Sequence, residues 1–288
     1  MAESPQPTVL VTGASGGLGK ATAQALAGIG ARVLVHARTE EGAVAAAREV
    51  PGVPVWADLG SVDGVRGLAE QVTAAADGLH ALVNNAGGAS RHRKLSPEGV
   101  EQTIAVHHVA PAVLTALLLP ALRRGAITSG RPSRVFNVSS TVERFGRRLT
   151  DWSYPERFSQ WRAYCDAKLL NLAFTYALAN RFDRREITVN AGDPGNVATG
   201  FGRNGGLFRL FQGPARFLLS SPERGARTAV RLAGDPGMDT ATGGYYAKSR
   251  PALSSATSRD PAYGEQVMAM TVRLLARSGV GPDPFAGR

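Results

Sequence analysis

Tyr164 and Lys168 stand four residues apart in the segment RAYCDAKLLNLAF, which reads as a helix. At that spacing both side chains leave one helix face. A lysine ammonium beside a phenol favours the phenolate, and so makes a poor proton donor into a usable acid–base near neutral pH. Ser139 and Ser140 close the apolar run RVFNVSS, which places hydroxyls at the end of a strand. A Tyr-x-x-x-Lys pair by itself is common and usually structural, so its meaning depends on what surrounds it.

The second chemical feature is the turn Thr12–Gly19, with Gly13, Ser15, Gly16, Gly17, Leu18 and Gly19 following an apolar strand and opening a helix. Backbone without Cβ lets a pyrophosphate approach closely, and a helix start offers unpaired N–H groups and a positive dipole end. The strand–turn–helix context makes this a dinucleotide-binding signal. At the end of the next strand, Leu34 to Thr39 contain no acid to accept hydrogen bonds from an adenine ribose. Ala37 and Arg38 stand there instead, with His36 as an assisting group, and a guanidinium suits a 2′-phosphate. NADP(H) is therefore favoured over NAD(H), the alternative being that Arg38 is a solvated loop charge.

These groups need a scaffold that gathers strand ends. Candidate strands are Thr8–Val11, Arg32–His36, Val53–Trp56, Ala81–Val83, Arg134–Val138 and Thr188–Asn190. Between them lie helical patterns at Leu18–Ile29, Glu40–Glu49, Val62–Ala76, Pro97–Leu122 and Arg162–Phe182. This alternation predicts an α/β fold, a Rossmann-type doubly wound parallel sheet with helices on both faces and ligands at the strands' carboxyl ends. Pro222–Ala233, Gly244–Ala247 and Tyr263–Ala276 read as a late helix, strand and helix. No long linker or repeat divides residues 1–288, which are read as a single domain.

Composition excludes several classes. The 288 residues are 43% hydrophobic and 19% charged, ordinary for a globular protein. The most apolar run, Ala112–Leu122, is shorter than the roughly 20 residues of a membrane span and contains Pro120. The N-terminus lacks the order of a signal peptide. Cys165 is the single cysteine, which rules out an intrachain disulfide and fits the cytoplasm. The net charge of +10 comes almost entirely from scattered arginines rather than a basic patch, so no nucleic-acid partner is expected; no metal is expected either.

The chain resembles the short-chain dehydrogenase/reductase family over nearly its full length. The matching motifs are TGASGGLG (Thr12–Gly19), ADL (Ala57–Leu59), NNAG (Asn84–Gly87), NVSS (Asn137–Ser140), YCDAK (Tyr164–Lys168) and DPGNVAT (Asp193–Thr199). It is most similar to the retinol-dehydrogenase-like and WW-domain-oxidoreductase-like branch. The resemblance implies that Tyr164 is the acid–base, that Lys168 holds the nicotinamide ribose and lowers the tyrosine pKa, and that Ser140 bonds the substrate oxygen, with Ser139 as substitute. Asp58 and Leu59 would meet the adenine. Asn85, Ala86 and Gly87 would line the cofactor, and Pro194, Gly195, Val197 and Thr199 would flank the nicotinamide. His107 stands where the family usually places an asparagine that holds a relay water. It is read either as a proton-shuttling catalytic residue or as a filler that bonds a backbone carbonyl. The helices at Pro97–Leu122 and Arg162–Phe182 form a dimer face in many relatives, which makes a homodimer a candidate assembly.

Two aromatic-rich regions, about 141–163 and 200–221, would hold the substrate. Trp152, Tyr154, Trp161 and Phe201 are the candidates for lining a wide apolar pocket. The alternative is that such aromatics anchor long loops. The expected function is NADP(H)-dependent hydride transfer with a hydrophobic ketone, aldehyde or secondary alcohol, aromatic or polyketide-like. Two alternatives are a non-redox dehydration, cyclisation or isomerisation with retained cofactor, and a cofactor-sensing binding protein.

Overall fold

A computed structural model describes residues 6–154, 157–195 and 221–286. Six parallel βα steps build the sheet: β1 (Thr8–Val11), β2 (Arg32–Ala37), β3 (Gly52–Trp56), β4 (Ala81–Asn84), β5 (Ser133–Val138) and β6 (Ile187–Asp193). β7 (Tyr245–Ala247) continues it in parallel, and β8 (Arg250–Pro251) closes the edge antiparallel. The order is β3-β2-β1-β4-β5-β6-β7-β8. The chain reverses direction across the sheet between β1 and β4, which opens a crevice at their carboxyl ends.

Alternate residues of each strand feed two cores. Leu10, Leu34, Leu82 and Val135 face α3 (Val62–Ala75), α5 (Ala110–Ser129), α6 (Gln160–Ala179) and α8 (Pro261–Arg277). Val9, Val11, Val33 and Val35 face α1 (Gly17–Gly28), α2 (Glu40–Glu49) and α7 (Pro222–Gly234). The central strands are covered on both faces and mostly apolar, with buried polar groups such as Asn84, Asn137 and Asn190 among them, which is why they were legible as short apolar runs.

The predicted helix at Pro97–Leu122 is corrected at both ends. Residues 96–99 form a turn, and Glu101 caps a short α4 (Gln102–Ile104), its carboxylate accepting from the Thr103 N–H at 2.8 Å and the Ile104 N–H at 3.2 Å. A π-turn (Ala105–Val109) joins α4 to α5, which runs through Pro120 to Ser129 and ends on Gly130 in the left-handed region. Pro111 supplies no N–H for the carbonyl four residues back, that of His107, so the ladder is broken there. The continuous stretch Gln102–Ser129 is thus long and apolar enough to cross a membrane, which the run ending at Leu122 did not suggest. Within the fold, 83% of its most apolar window is buried, as for a core helix.

Candidate active site

The glycine turn is assembled from the carboxyl ends of three strands. The Thr12 hydroxyl accepts from the Asn85 and Ala86 N–H groups, each at 2.9 Å, and the Asn85 side-chain amide donates to the Thr12 carbonyl at 2.7 Å. From β2, His36 Nδ1 accepts from the Gly13 N–H at 3.0 Å while Nε2 lies 3.1 Å from the Ala57 carbonyl. An acceptor at Nδ1 and a carbonyl at Nε2 define the neutral tautomer protonated on Nε2. Burial pushes the His36 pKa down to about 4, against opposing effects of the Ala57 carbonyl and Asp58. His36 is therefore a buried strut beneath the turn, not a group beside Arg38 facing a phosphate.

The turn's glycines are sterically required. A Cβ at Gly13, whose φ is +66°, would lie 2.9 Å from Ala86 Cα, and one at Gly19 would lie 2.2 Å from the Gly13 carbonyl oxygen. Gly16 differs. It is exposed, its Cβ would meet nothing within 4 Å, and it starts α1 without a side-chain cap. The open N–H groups of the first helical turn are the donors a pyrophosphate would use. Ser15 is exposed beside them, Gly17 adopts positive φ, and Leu18 is buried as the first apolar anchor of α1. Ala37 is buried at the end of β2 and Arg38 is exposed just beyond it. Past β3, Asp58 is exposed, with one carboxylate oxygen accepting from the Gly60 N–H at 2.9 Å, and Leu59 is buried.

Tyr164 and Lys168 project from α6 towards the end of β5, with Lys168 Nζ 5.7 Å from the Tyr164 ring centre. The Ser140 side chain hydrogen-bonds Tyr164. Ser139, its less favoured substitute, is buried with a hydroxyl that meets no partner. The structure thus brings Ser140, Tyr164 and Lys168 together.

One expectation about them is corrected. Lys168 donates to the Val138 carbonyl at 2.6 Å, and the Tyr164 pKa is raised rather than lowered. Burial is the main cause, followed by the charge of Asp193 and by Cys165, with the Ser140 bond opposing. Lys168 is itself pushed down to about 8 by burial, with Asp193 opposing. The phenol is held neutral, the form that donates a proton. Cys165 is buried, and its thiol is pushed up to about 12 by burial and by the neighbouring Asp166, so it is inert.

His107 sits in the π-turn against both halves of the site. Its ring lies 5.3 Å from that of Tyr164 at 76°, and Nε2 is 2.8 Å from the Gly88 carbonyl and 3.1 Å from the Gly88 nitrogen. Burial, then the charge of Lys168, lowers its pKa well below the usual histidine value. A Cβ at Gly87 would fall 2.4 Å from His107 Cε1, so the imidazole fits because residue 87 is glycine. The His107 carbonyl, freed by Pro111, accepts from the Asn171 side-chain amide at 2.8 Å. Asn171, three residues beyond Lys168 on α6, was not singled out in the sequence, although its spacing places it on the lysine's side of the helix.

Asp193 was also missed as a site residue, although it lies inside DPGNVAT. At the end of β6 it is buried, one oxygen accepting from the Thr141 N–H at 2.8 Å and the other from the Gly195 N–H at 2.7 Å. Pro194 and Gly195 follow, Gly195 at φ +80°. Val197, Thr199 and Phe201 lie outside the described residues.

Of the substrate candidates, Trp152 and Tyr154 anchor their loop. Both belong to the main core; Trp152 packs edge-on to His108 at 4.9 Å, and it borders a surface cleft of about 660 Å³ along α8, away from Tyr164. The Tyr154 hydroxyl donates to Asp166 at 2.9 Å, and Asp166 also accepts from the Arg147 N–H at 2.6 Å. Trp161 sits one helical turn before Tyr164, its ring 6.2 Å from that of the exposed Phe145, and so stays near the mouth of the site. Among the described residues, no group of three or more metal-ligating side chains converges.

Comparison with known proteins bears on the same segments. The family model for short chain dehydrogenase matches residues 7–206. Human retinol dehydrogenase 11 is 31% identical over 279 residues, covering 94% of this chain and 86% of its own. Mouse polyprenol dehydrogenase is 34% identical over 300 residues, covering 98% and 88%. Among solved structures, an uncharacterized protein from Mycobacterium paratuberculosis superposes with a TM-score of 0.74 at 28% identity, covering 94% of each chain. RhlG from Pseudomonas aeruginosa, solved as an NADP active-site complex, gives 0.68 at 26% identity over 88% of this chain and 98% of its own. With its doubly wound sheet, glycine turn and Ser140–Tyr164–Lys168 cluster, the chain belongs to the short chain dehydrogenase family.

Proposed function

We propose that this oxidoreductase uses NADP(H) and exchanges a hydride with a hydrophobic ketone, aldehyde or secondary alcohol, Tyr164 serving as acid–base. The observation that carries the reading is the meeting of Ser140, Tyr164 and Lys168 at the carboxyl edge of the sheet whose β1 end carries the glycine turn. The residues present fit a dinucleotide. Gly13 and Gly19 leave no room for side chains, Gly16 leaves the helix start open, and Arg38 offers an exposed guanidinium where a ribose-binding acid is missing.

A bound nicotinamide would supply the hydride to the carbonyl carbon, or accept it from the alcohol. In reduction the neutral Tyr164 hydroxyl gives its proton to the substrate oxygen, and Ser140 orients that oxygen by hydrogen bonding. In oxidation the proton moves the other way, which requires Tyr164 to give up its own proton first, an ionisation that burial and the charge of Asp193 oppose. Gly13, Ser15, Gly16, Gly17, Leu18, Gly19, Arg38, Asp58, Leu59 and Asn85–Gly87 would hold the cofactor. Neutral His107, bonded to Gly88, would support the wall beside Tyr164. Retinol and polyprenol, named in two relatives, are long isoprenoid primary alcohols, which favours an isoprenoid aldehyde among these substrates.

The test is NADPH oxidation followed at 340 nm with a panel of isoprenoid, aromatic and polyketide-like carbonyls. Turnover that is lost in Tyr164→Phe supports the reading. Substrate conversion without net change in NADPH would replace it with the non-redox alternative. Tight NADPH binding without any conversion would favour a cofactor-sensing protein. A homodimer is tested separately by light scattering.

A further inference from the structure

We propose that Asp193 is a positioning residue that pins the Ser140 turn to the Pro194–Gly195 turn and supplies the counter-charge to Lys168 at the proton-handling end of the site. The inference rests on the oxidoreductase reading and adds to it a residue that controls the acid–base pair without touching the substrate.

The geometry is that of a clamp. The carboxylate is 4% exposed, and each oxygen takes one backbone N–H, Thr141 on one side and Gly195 on the other. Thr141 directly follows Ser140, and Gly195 lies in the segment that would flank the nicotinamide. One side chain therefore fixes the separation of the two loops between which a substrate oxygen must sit. Both carboxylate oxygens therefore carry a hydrogen bond from the backbone.

That fixed charge is felt by the groups around it. On α6 its charge acts on Tyr164 and Lys168, and on β7 it acts on Tyr245, whose hydroxyl is buried without a partner. Glu143, from the serine turn, also acts on Tyr245, but its carboxylate accepts from the Ser255 N–H at 2.7 Å and the Ser255 hydroxyl at 2.5 Å. Arg144 donates to the Leu253 carbonyl, and His107 packs on Tyr164 as a neutral ring. Asp193 is thus the anion that favours the ammonium form of Lys168 and the neutral form of Tyr164 together.

The experiment compares wild type, Asp193→Asn, Asp193→Ser and Asp193→Glu in the full chain, using NADPH and all-trans-retinal as probe. Removing the charge lowers both pKa values, so the basic limb of kcat/KM for reduction should move to lower pH. A unit charge removed at several ångströms in a partly buried site shifts a pKa by on the order of one unit. Asp193→Glu should slow turnover through its longer side chain, yet keep the limb near its wild-type position. Asp193→Ser provides a second neutral variant, small enough for either turn if Asn disturbs folding. A lower rate with an unmoved limb in both neutral variants would overturn the proposal, because a purely structural clamp predicts that result. Tyrosinate absorbance, taken as the difference from the same protein carrying Tyr164→Phe, reads the same shift without turnover. If wild type reduces nothing, the oxidoreductase reading fails, while this titration still decides the role of Asp193.

Discussion

Lowering the pH from 7 to 5 should strip this fold of much of its stability through buried imidazoles. His36, His107 and His108 are 3%, 4% and 0% exposed. Burial holds His36 at a pKa of about 4 and His108 at about 3, and drives His107 well below the usual value. In the unfolded chain each titrates near the ordinary ~6.5. The native pKa values are depressed, so the unfolded state binds more protons over this range. The stabilisation is present above about pH 6.5 and is lost as the pH falls towards the native values. Between pH 7 and 5 His36 and His108 should each cost on the order of 2 kcal/mol, from ~1.36 kcal/mol per unit of differential protonation, and His107 adds to the loss in the same direction. Together they amount to several kcal/mol, a large part of the ~5–15 kcal/mol that holds a typical domain. Glu101 opposes them, since burial raises its pKa and stability from that group grows as the pH falls, but half-buried His80, also lowered by burial, acts with the three histidines. Urea unfolding followed by tryptophan fluorescence at pH 7, 6 and 5 measures the loss, and His36→Gln should remove about a third of the pH dependence. A change below ~1 kcal/mol across that range would refute the argument that these rings are buried neutral.

Three further outcomes follow from the site. Gly19→Ala forces a Cβ against the Gly13 carbonyl, so NADPH affinity measured by fluorescence titration should fall at least about tenfold, with ~1–3 kcal/mol lost in stability from overpacking. Gly87→Ala should destabilise by a similar ~1–3 kcal/mol through His107, and the smaller side chain of His107→Asn should recover part of it in the double variant. Additive effects would show that the two positions do not touch. Arg38→Ala should weaken NADPH by about 10- to 100-fold, as for loss of a charged hydrogen bond worth ~1.5–3 kcal/mol, while leaving NADH affinity unchanged. An equal loss for both cofactors would make Arg38 a general loop charge.

The parallel strands could be read from the sequence because their cores are apolar runs, most of them covered on both faces, and the glycine turn because Gly13 and Gly19 have no steric alternative. The helix around His107 was misjudged because its start depends on the Glu101 cap and its bulge on Pro111, tertiary and local effects that a smooth apolar pattern hides. The two-residue β8 is too short to have a periodicity. Ser140, Tyr164 and Lys168 were legible from motif and helical spacing. The electrostatic balance was not: adjacency suggested that Lys168 lowers the Tyr164 pKa, but burial and Asp193 decide it in the opposite direction. Asp193, His36 and Asn171 act through backbone groups on distant segments, and no spacing along the chain reports such partners. Trp152 and Tyr154 show the limit of composition, since an aromatic segment beside a site looks the same whether it lines a pocket or anchors a loop.

The central claim is that Tyr164, with Ser140 and Lys168 beside it, moves the proton that accompanies hydride transfer. Its most direct test is single-turnover reduction of a carbonyl by NADPH in wild type and Tyr164→Phe, with NADPH affinity measured in parallel. The chemical step should slow by at least about a hundredfold, the scale of a positioned general acid, with NADPH binding retained within about twofold. Unchanged single-turnover rates in Tyr164→Phe would contradict it.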